Sequence, residues 1–145
     1  AAADTFRAAA IEQLQVDRVD HGYTIVDNPQ LAQRCVERGL VFTVVPTNSY
    51  YLRTLAPERW ALDHPIRAMA KLGLKLHPNT DDPTLHHVTP TGAWMMMREF
   101  GFGLDDMRGF MLNGLDAAWI DESTRRDWRV EFTRAFDALR ARVAE

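Results

Sequence analysis

The chain has 145 residues, 46% hydrophobic and 26% charged, a balance that fits one folded domain or part of one and excludes a disordered tail. The formal charge of −3 leaves no basic excess for tracking nucleic-acid phosphates, and the single cysteine, Cys35, excludes an internal disulfide and a thiolate zinc site. No apolar run approaches the roughly 20 residues of a membrane span, and AAADTFRAAA at the start is not a signal peptide, so the expected compartment is the cytoplasm.

In chain order, an alanine-rich segment from Thr5 to Leu14 predicts a helix, and VDRVD at 16–20 a short strand running into His21 and Gly22. Residues 28–39 read as a helix. Asn28 can cap it, Pro29 suits its first turn, Leu31, Ala32, Cys35 and Val36 form its apolar face, and Gly39 stops it. VFTVV at 41–45 is β-branched and almost wholly apolar, as in a strand covered on both faces. The syntax repeats over 63–73, where Pro65 comes early, Ile66, Met69 and Ala70 face inward and Gly73 ends the helix; the strand LKLHP follows.

Only helices are expected beyond it: around TGAWMMMREFG, from Asp105 to Ile120, and from Ser123 to the end. In the last, Trp128, Phe132, Ala135, Phe136, Leu139 and Val143 make one apolar stripe, expected in the core. The arginines at 125, 126, 129, 134, 140 and 142, interleaved with Asp127, Glu131 and Asp137, read as a solvated face. Met95, Met96 and Met97, at consecutive helix positions, cannot share one pocket, and Cys35 reads as a small buried hydrophobe.

Strands joined through helices imply parallel pairing and an α/β fold. Three strands are too few for a closed barrel or a doubly wound domain, so further strands are expected upstream. In such a fold the C-terminal strand ends share one rim, which gathers Asp20-His21-Gly22, Pro46-Thr47-Asn48-Ser49 and Asn79-Thr80-Asp81-Asp82-Pro83. Adjacent acids at a strand end repel unless a cation or a proton-donating ligand sits between them, although Asp before Pro also suits a helix N-cap. His21 taken alone fits a core histidine equally; beside the two acids it points to a site.

RVDHG at 18–22, PTNS at 46–49, HPI at 64–66 and above all NTDDP at 79–83 resemble, in order and spacing, the C-terminal portion of adenosine and adenine deaminases, over about residues 16–120. The resemblance implies a (β/α)₈ TIM barrel with one zinc ion, in which the three strands are the sixth to eighth and residues 1–145 are the C-terminal portion of a single barrel domain whose N-terminal half is absent. It implies that Asp81 ligates zinc and contacts the attacking water, that Asp82 shares a hydrogen bond with purine N7, and that His21 orients the water for attack at C6. Zinc suits this chemistry because it lowers the pKa of bound water towards 7. The PCxxC signature of the deaminases that act on flipped bases is absent.

The family's HxH pair, a further zinc-binding histidine and the glutamate that protonates the ring have no counterpart in the sequence and are expected upstream. The chain alone is therefore expected to be inactive. Its expected partners are a purine nucleoside or base and, for its open sheet edge, the missing half or a second copy. His86 and His87 read as an exposed loop pair, His64 as holding a helix start against the rim, and His77 and Pro78 as barrel wall. Two alternatives stay open: a non-catalytic half-barrel module, and a related barrel hydrolase acting on another exocyclic amine, prompted by Tyr50 and Tyr51 in PTNSYY.

Overall fold

The computed structural model describes residues 16–53 and 55–143; the helix expected over Thr5–Leu14 lies outside them. Three strands, β1 (Arg18–Asp20), β2 (Val41–Val44) and β3 (Lys75–Pro78), form a parallel sheet in the order β1-β2-β3. Asp20 lies opposite Thr43, and Thr43 opposite His77. The second and third strands are reached through helices: a 3₁₀ turn (Tyr23–Asp27) and α1 (Pro29–Glu37) lead to β2, and α2 (Pro46–Tyr51), α3 (Trp60–Asp63) and α4 (Ile66–Lys71) lead to β3. After β3 come α5 (Pro83–His86), α6 (Pro90–Met96), a 3₁₀ turn (Met97–Phe100), α7 (Leu104–Asp116) and α8 (Glu122–Val143). No helix among the described residues is long and apolar enough to cross a membrane.

Asn28 caps α1 by accepting from the Leu31 N–H at 3.0 Å, as its position before Pro29 predicts. One segment differs from the sequence reading, and another takes a form it did not specify. The helix expected over 63–73 is split, because proline disfavours a helical residue before it: His64 is extended at ψ 129°, and α4 begins only at Ile66. The segment beginning PTNS, for which the sequence reading assigned no element, forms a helix, with Pro46 in the first turn, where its missing N–H costs nothing.

Alternation along the strands gives the sheet two unlike faces. Phe42, Val44 and Leu76 point to one side, fully buried, and pack with Ile66 and Met69 of α4 and Leu31, Ala32 and Cys35 of α1. Each large side chain buried there contributes roughly 2 kcal/mol. The other face carries Arg18, Asp20, Thr43, Lys75 and His77. It meets α7, where Lys75 Nζ lies 3.0 Å from Asp116 Oδ2, His77 Nδ1 lies 3.0 Å from the Phe110 carbonyl oxygen, and Asn113 Nδ2 donates to the Leu76 carbonyl at 2.9 Å. A Cβ at Gly114 would collide with the His77 ring, so the missing side chain is what lets α7 sit this close. Burial is the main cause that lowers the His77 pKa from its ordinary value; the bond to the Phe110 carbonyl opposes the shift.

The last helix departs from expectation twice. Its apolar stripe is not core among the described residues: Trp128 and Phe132 are each 41% exposed and Leu139 58%, and only Phe136 of the group packs against the core. Helical spacing fixes which face is apolar and leaves open what covers it. The arginines are also more than a solvated face. Arg125 donates to the carbonyls of Leu115, Asp116, Ala118 and Ile120, closing the C-terminal end of α7, and Arg129 pairs with Asp116 at 2.7 Å. Arg108 of α7 pairs with Asp137 at 2.9 Å, and Arg140 pairs with Asp105.

Candidate functional site

Three groups of polar residues follow the three strands, and the parallel order sets them side by side. His21 is held just past β1 by its backbone N–H, which donates to the Thr43 carbonyl at 2.8 Å. Asn79 is held past β3 in the same way, donating to the Val44 carbonyl at 2.9 Å. Each strand end is thus pinned to its neighbour, and the side chains beyond project from a fixed base.

Both His21 and Asp81 have left-handed backbone, with φ of 62° and 55°. That conformation is uncommon for residues with a Cβ, and such strain concentrates at functional sites. Gly22, with φ of 64°, completes the first of these turns; a Cβ there would stand 2.9 Å from the Phe42 ring and from Val19, so the turn needs glycine. The second is locked by the Asn79 side chain, whose Oδ1 accepts from the Asp81 N–H at 2.8 Å.

The turns bring the Asp81 carboxylate to the first strand's histidine: Oδ2 is 3.7 Å from His21 Nε2. The same oxygen accepts from Asn48 Nδ2 of α2 at 2.6 Å, so residues following all three strands meet at one atom. A cleft of about 440 Å³ opens beside it, lined by Arg18, Asp20, His21, Thr43, His77 and Asp81 among others. Within it Asp20 accepts from the Thr43 hydroxyl at 2.5 Å and lies 3.4 Å from Arg18 Nε.

Asp82 occupies the N-cap position of α5, yet its side chain accepts no capping hydrogen bond. The carboxylate therefore does not act as a side-chain cap here, and Asp82 is exposed. Oxygens of Asp81 and Asp82 and a ring nitrogen of His86 lie within 4.8 Å of one another. His86 is the half-buried last residue of α5 rather than part of an exposed loop, while His87 is exposed and ends that helix with φ of 51°. Carboxylate oxygen and imidazole nitrogen are the donors that zinc accepts when thiolate is absent.

His64 holds a helix start, as expected: its Nδ1 accepts from the Ile66 N–H at 3.2 Å at the beginning of α4. It is 2% exposed, among the rings of Tyr23, Trp60 and Phe100, and burial pushes its pKa down to about 4.

Two residues that matter to the geometry carried no signal of their own in the sequence. Tyr23 lies edge-on to His21, and its hydroxyl donates to the Val45 carbonyl at 3.2 Å while accepting from the Val45 N–H at 2.8 Å. Burial, with a smaller contribution from the Asp81 charge, pushes that phenol up to about 12, against an opposing contribution from the Val45 bond. Asn48 is the other. Both stand within or beside motifs already singled out, but their roles depend on contacts across 22 and 33 residues.

The adenosine deaminase family profile matches residues 2–133. An adenine deaminase of Chelativorans sp. is 29% identical over 81% of this chain and 35% of its own length, and an uncharacterized deaminase of Schizosaccharomyces pombe is 32% identical over 82% and 34%. Among solved structures, a zinc-bound amidohydrolase of Burkholderia ambifaria is 60% identical with a TM-score of 0.89, covering 94% of this chain and 38% of that one. The adenine deaminase of Arthrobacter aurescens, at 22% identity and a TM-score of 0.79 over 92% and 40%, shares the fold. The chain thus spans about a third of the length of the relatives it matches.

Proposed function

The chain belongs to the adenosine deaminase family, and from that premise we propose that the intact protein hydrolyses the exocyclic amine of an aminopurine, adenine or adenosine, to the oxo-purine and ammonia. The observation that carries this reading is the approach of His21 and Asp81 to 3.7 Å on paired left-handed turns at the ends of β1 and β3, with Asp82 free of capping beside them. The three strands are read as the sixth to eighth of a (β/α)₈ barrel whose other strands lie outside the residues described.

Asp81 would hold the zinc ion, together with ligands from outside this segment, since a catalytic zinc commonly takes three protein ligands. When bound, that ion supplies a water acidified towards neutral pH. His21, held by its backbone to Thr43, directs a ring nitrogen to the same carboxylate and can hold the proton of the attacking water. Asp82 faces the substrate and shares a hydrogen bond with purine N7, so that C6 is presented to the water. The water oxygen bonds to C6, the C6–N bond breaks, and the amine leaves as ammonia with the proton that His21 took from the water. One zinc ligand does not make a site, so residues 1–145 alone are expected to be inactive.

The test is made on the intact protein, with metal content and loss of adenine or adenosine absorbance measured on the same samples. Asp81→Asn is expected to lower turnover at least about 100-fold and to weaken zinc retention. Asp82→Ala is expected to retain zinc and lose purine affinity. An Asp81→Asn protein with full zinc and near-normal turnover would show that Asp81 only shapes its turn.

A further inference from the structure

We propose that Asn48 is a positioning residue for Asp81: its side-chain amide fixes one carboxylate oxygen, so that the other is presented to the cleft in one orientation. The proposal rests on the reading of Asp81 given above and adds a residue to it.

The contact is short and long-range. Asn48 Nδ2 donates to Asp81 Oδ2 at 2.6 Å across 33 residues, tying the end of β2 to the end of β3. The Asp81 side chain is 36% exposed, and a carboxylate so open to water would otherwise turn freely about its last bond. His21 Nε2 stands 3.7 Å from the same oxygen, so Oδ2 is flanked by two nitrogens, and restraining Oδ2 also fixes the direction of Oδ1.

The polarity of the amide follows from its surroundings. Asn48 Oδ1 is buried with no hydrogen-bond partner among the described residues. An amide with an unsatisfied buried oxygen gains nothing from its present orientation except the bond its nitrogen makes. Turning it over would set an oxygen against the Asp81 carboxylate at the same short distance. Asn48 is thus oriented by Asp81 and in turn restrains it.

Asn48 is itself held. It is the third residue of α2, whose start is set by Pro46 and by the Tyr23 hydroxyl, which grips both the N–H and the C=O of Val45. A serine at this position would be a donor one atom shorter. An aspartate of the same shape would place a second acceptor against Oδ2.

The experiment compares Asn48→Leu, Asn48→Asp and Asn48→Ser in the intact, zinc-loaded protein. Three quantities are read: the rate of zinc release to a chelator, kcat and KM for adenine and adenosine, and the thermal midpoint. A positioning role lowers kcat about 10- to 100-fold in the Leu and Asp variants, with KM changed less than about threefold and zinc release faster by about tenfold. The Ser variant, which keeps a donor, falls between them and the parent. Zinc release and kcat within twofold of the parent in the Leu variant overturn the proposal while leaving the deaminase reading intact. So does a loss of kcat accounted for by unfolding in all three variants. A parent protein that neither binds zinc nor deaminates either purine overturns the proposed function, and the role of Asn48 with it.

Discussion

Acidification should unfold this protein partly through His64. The ring is neutral in the folded state, its Nδ1 accepting the Ile66 N–H, so its proton sits on Nε2, buried with no partner among the described residues. A second proton would go to Nδ1, placing a donor against the Ile66 donor and a charge among Tyr23, Trp60 and Phe100. The folded value is therefore depressed, to about 4 from the ordinary 6.5. Between those two values the unfolded chain binds the extra proton and the folded chain does not. The stabilisation is complete above pH 6.5 and is lost as pH falls towards 4. At about 1.4 kcal/mol per pH unit, that interval corresponds to roughly 3 kcal/mol. The assay is guanidinium denaturation of the intact protein and of its His64→Phe variant from pH 7.5 to pH 4. The variant loses an acceptor for Ile66, a constant cost of about 1 kcal/mol, but no longer titrates at this position, so the stability difference between the two should change by about 3 kcal/mol across the range. A difference that stays constant within about 0.5 kcal/mol, below the resolution of such mutational comparisons, would refute the reasoning.

Tyr23→Phe should cost about 2 kcal/mol, because it strips the Val45 N–H of its partner in a place water does not reach, and should lower kcat through the displaced start of α2; chemical denaturation and steady-state kinetics check both. Gly114→Ala should destabilise by roughly 1–3 kcal/mol as its Cβ drives α7 off the His77 ring, measured by thermal melting; an unchanged midpoint would mean that the ring moves aside freely. Residues 1–145 expressed alone should self-associate and lack deaminase activity, since among the described residues β1 pairs on one side only and the α8 aromatics Trp128 and Phe132 are partly exposed; a stable monomer on size-exclusion chromatography would contradict this.

Much of this architecture is legible in the residues. The three strands follow from runs bounded by helix caps, which are local signals, and the meeting of His21 with Asp81 follows from their parallel order, which puts all the C-terminal strand ends on one rim. The division at His64-Pro65 was legible too, from proline's effect on the residue before it, but the apolar spacing of Ile66, Met69 and Ala70 masks it. Asn48 and Tyr23 were beyond reach for another reason: each acts through a bond whose partner is distant in sequence, and polar residues of these types are common in any loop. The α8 stripe shows the converse, a local signal read correctly as apolar and wrongly as buried, since burial belongs to the neighbour as much as to the helix.

The left-handed backbone at His21 and Asp81 also governs which substitutions these positions can accept. Asn, Asp and His enter that region more readily than other residues with a Cβ, and glycine enters without strain, whereas a β-branched residue does not. At position 81 the chain would admit Asn or Gly with its turn intact and reject Val or Ile, whatever their effect on metal or purine. Drift there is channelled: the short polar replacements that preserve the loop are those that remove a charge without disturbing shape, so lineages could lose the chemistry while keeping the scaffold. In a saturation library scored separately for abundance and for turnover, position 81 should divide the survivors into a folded, inactive class of small residues and an absent class of branched ones.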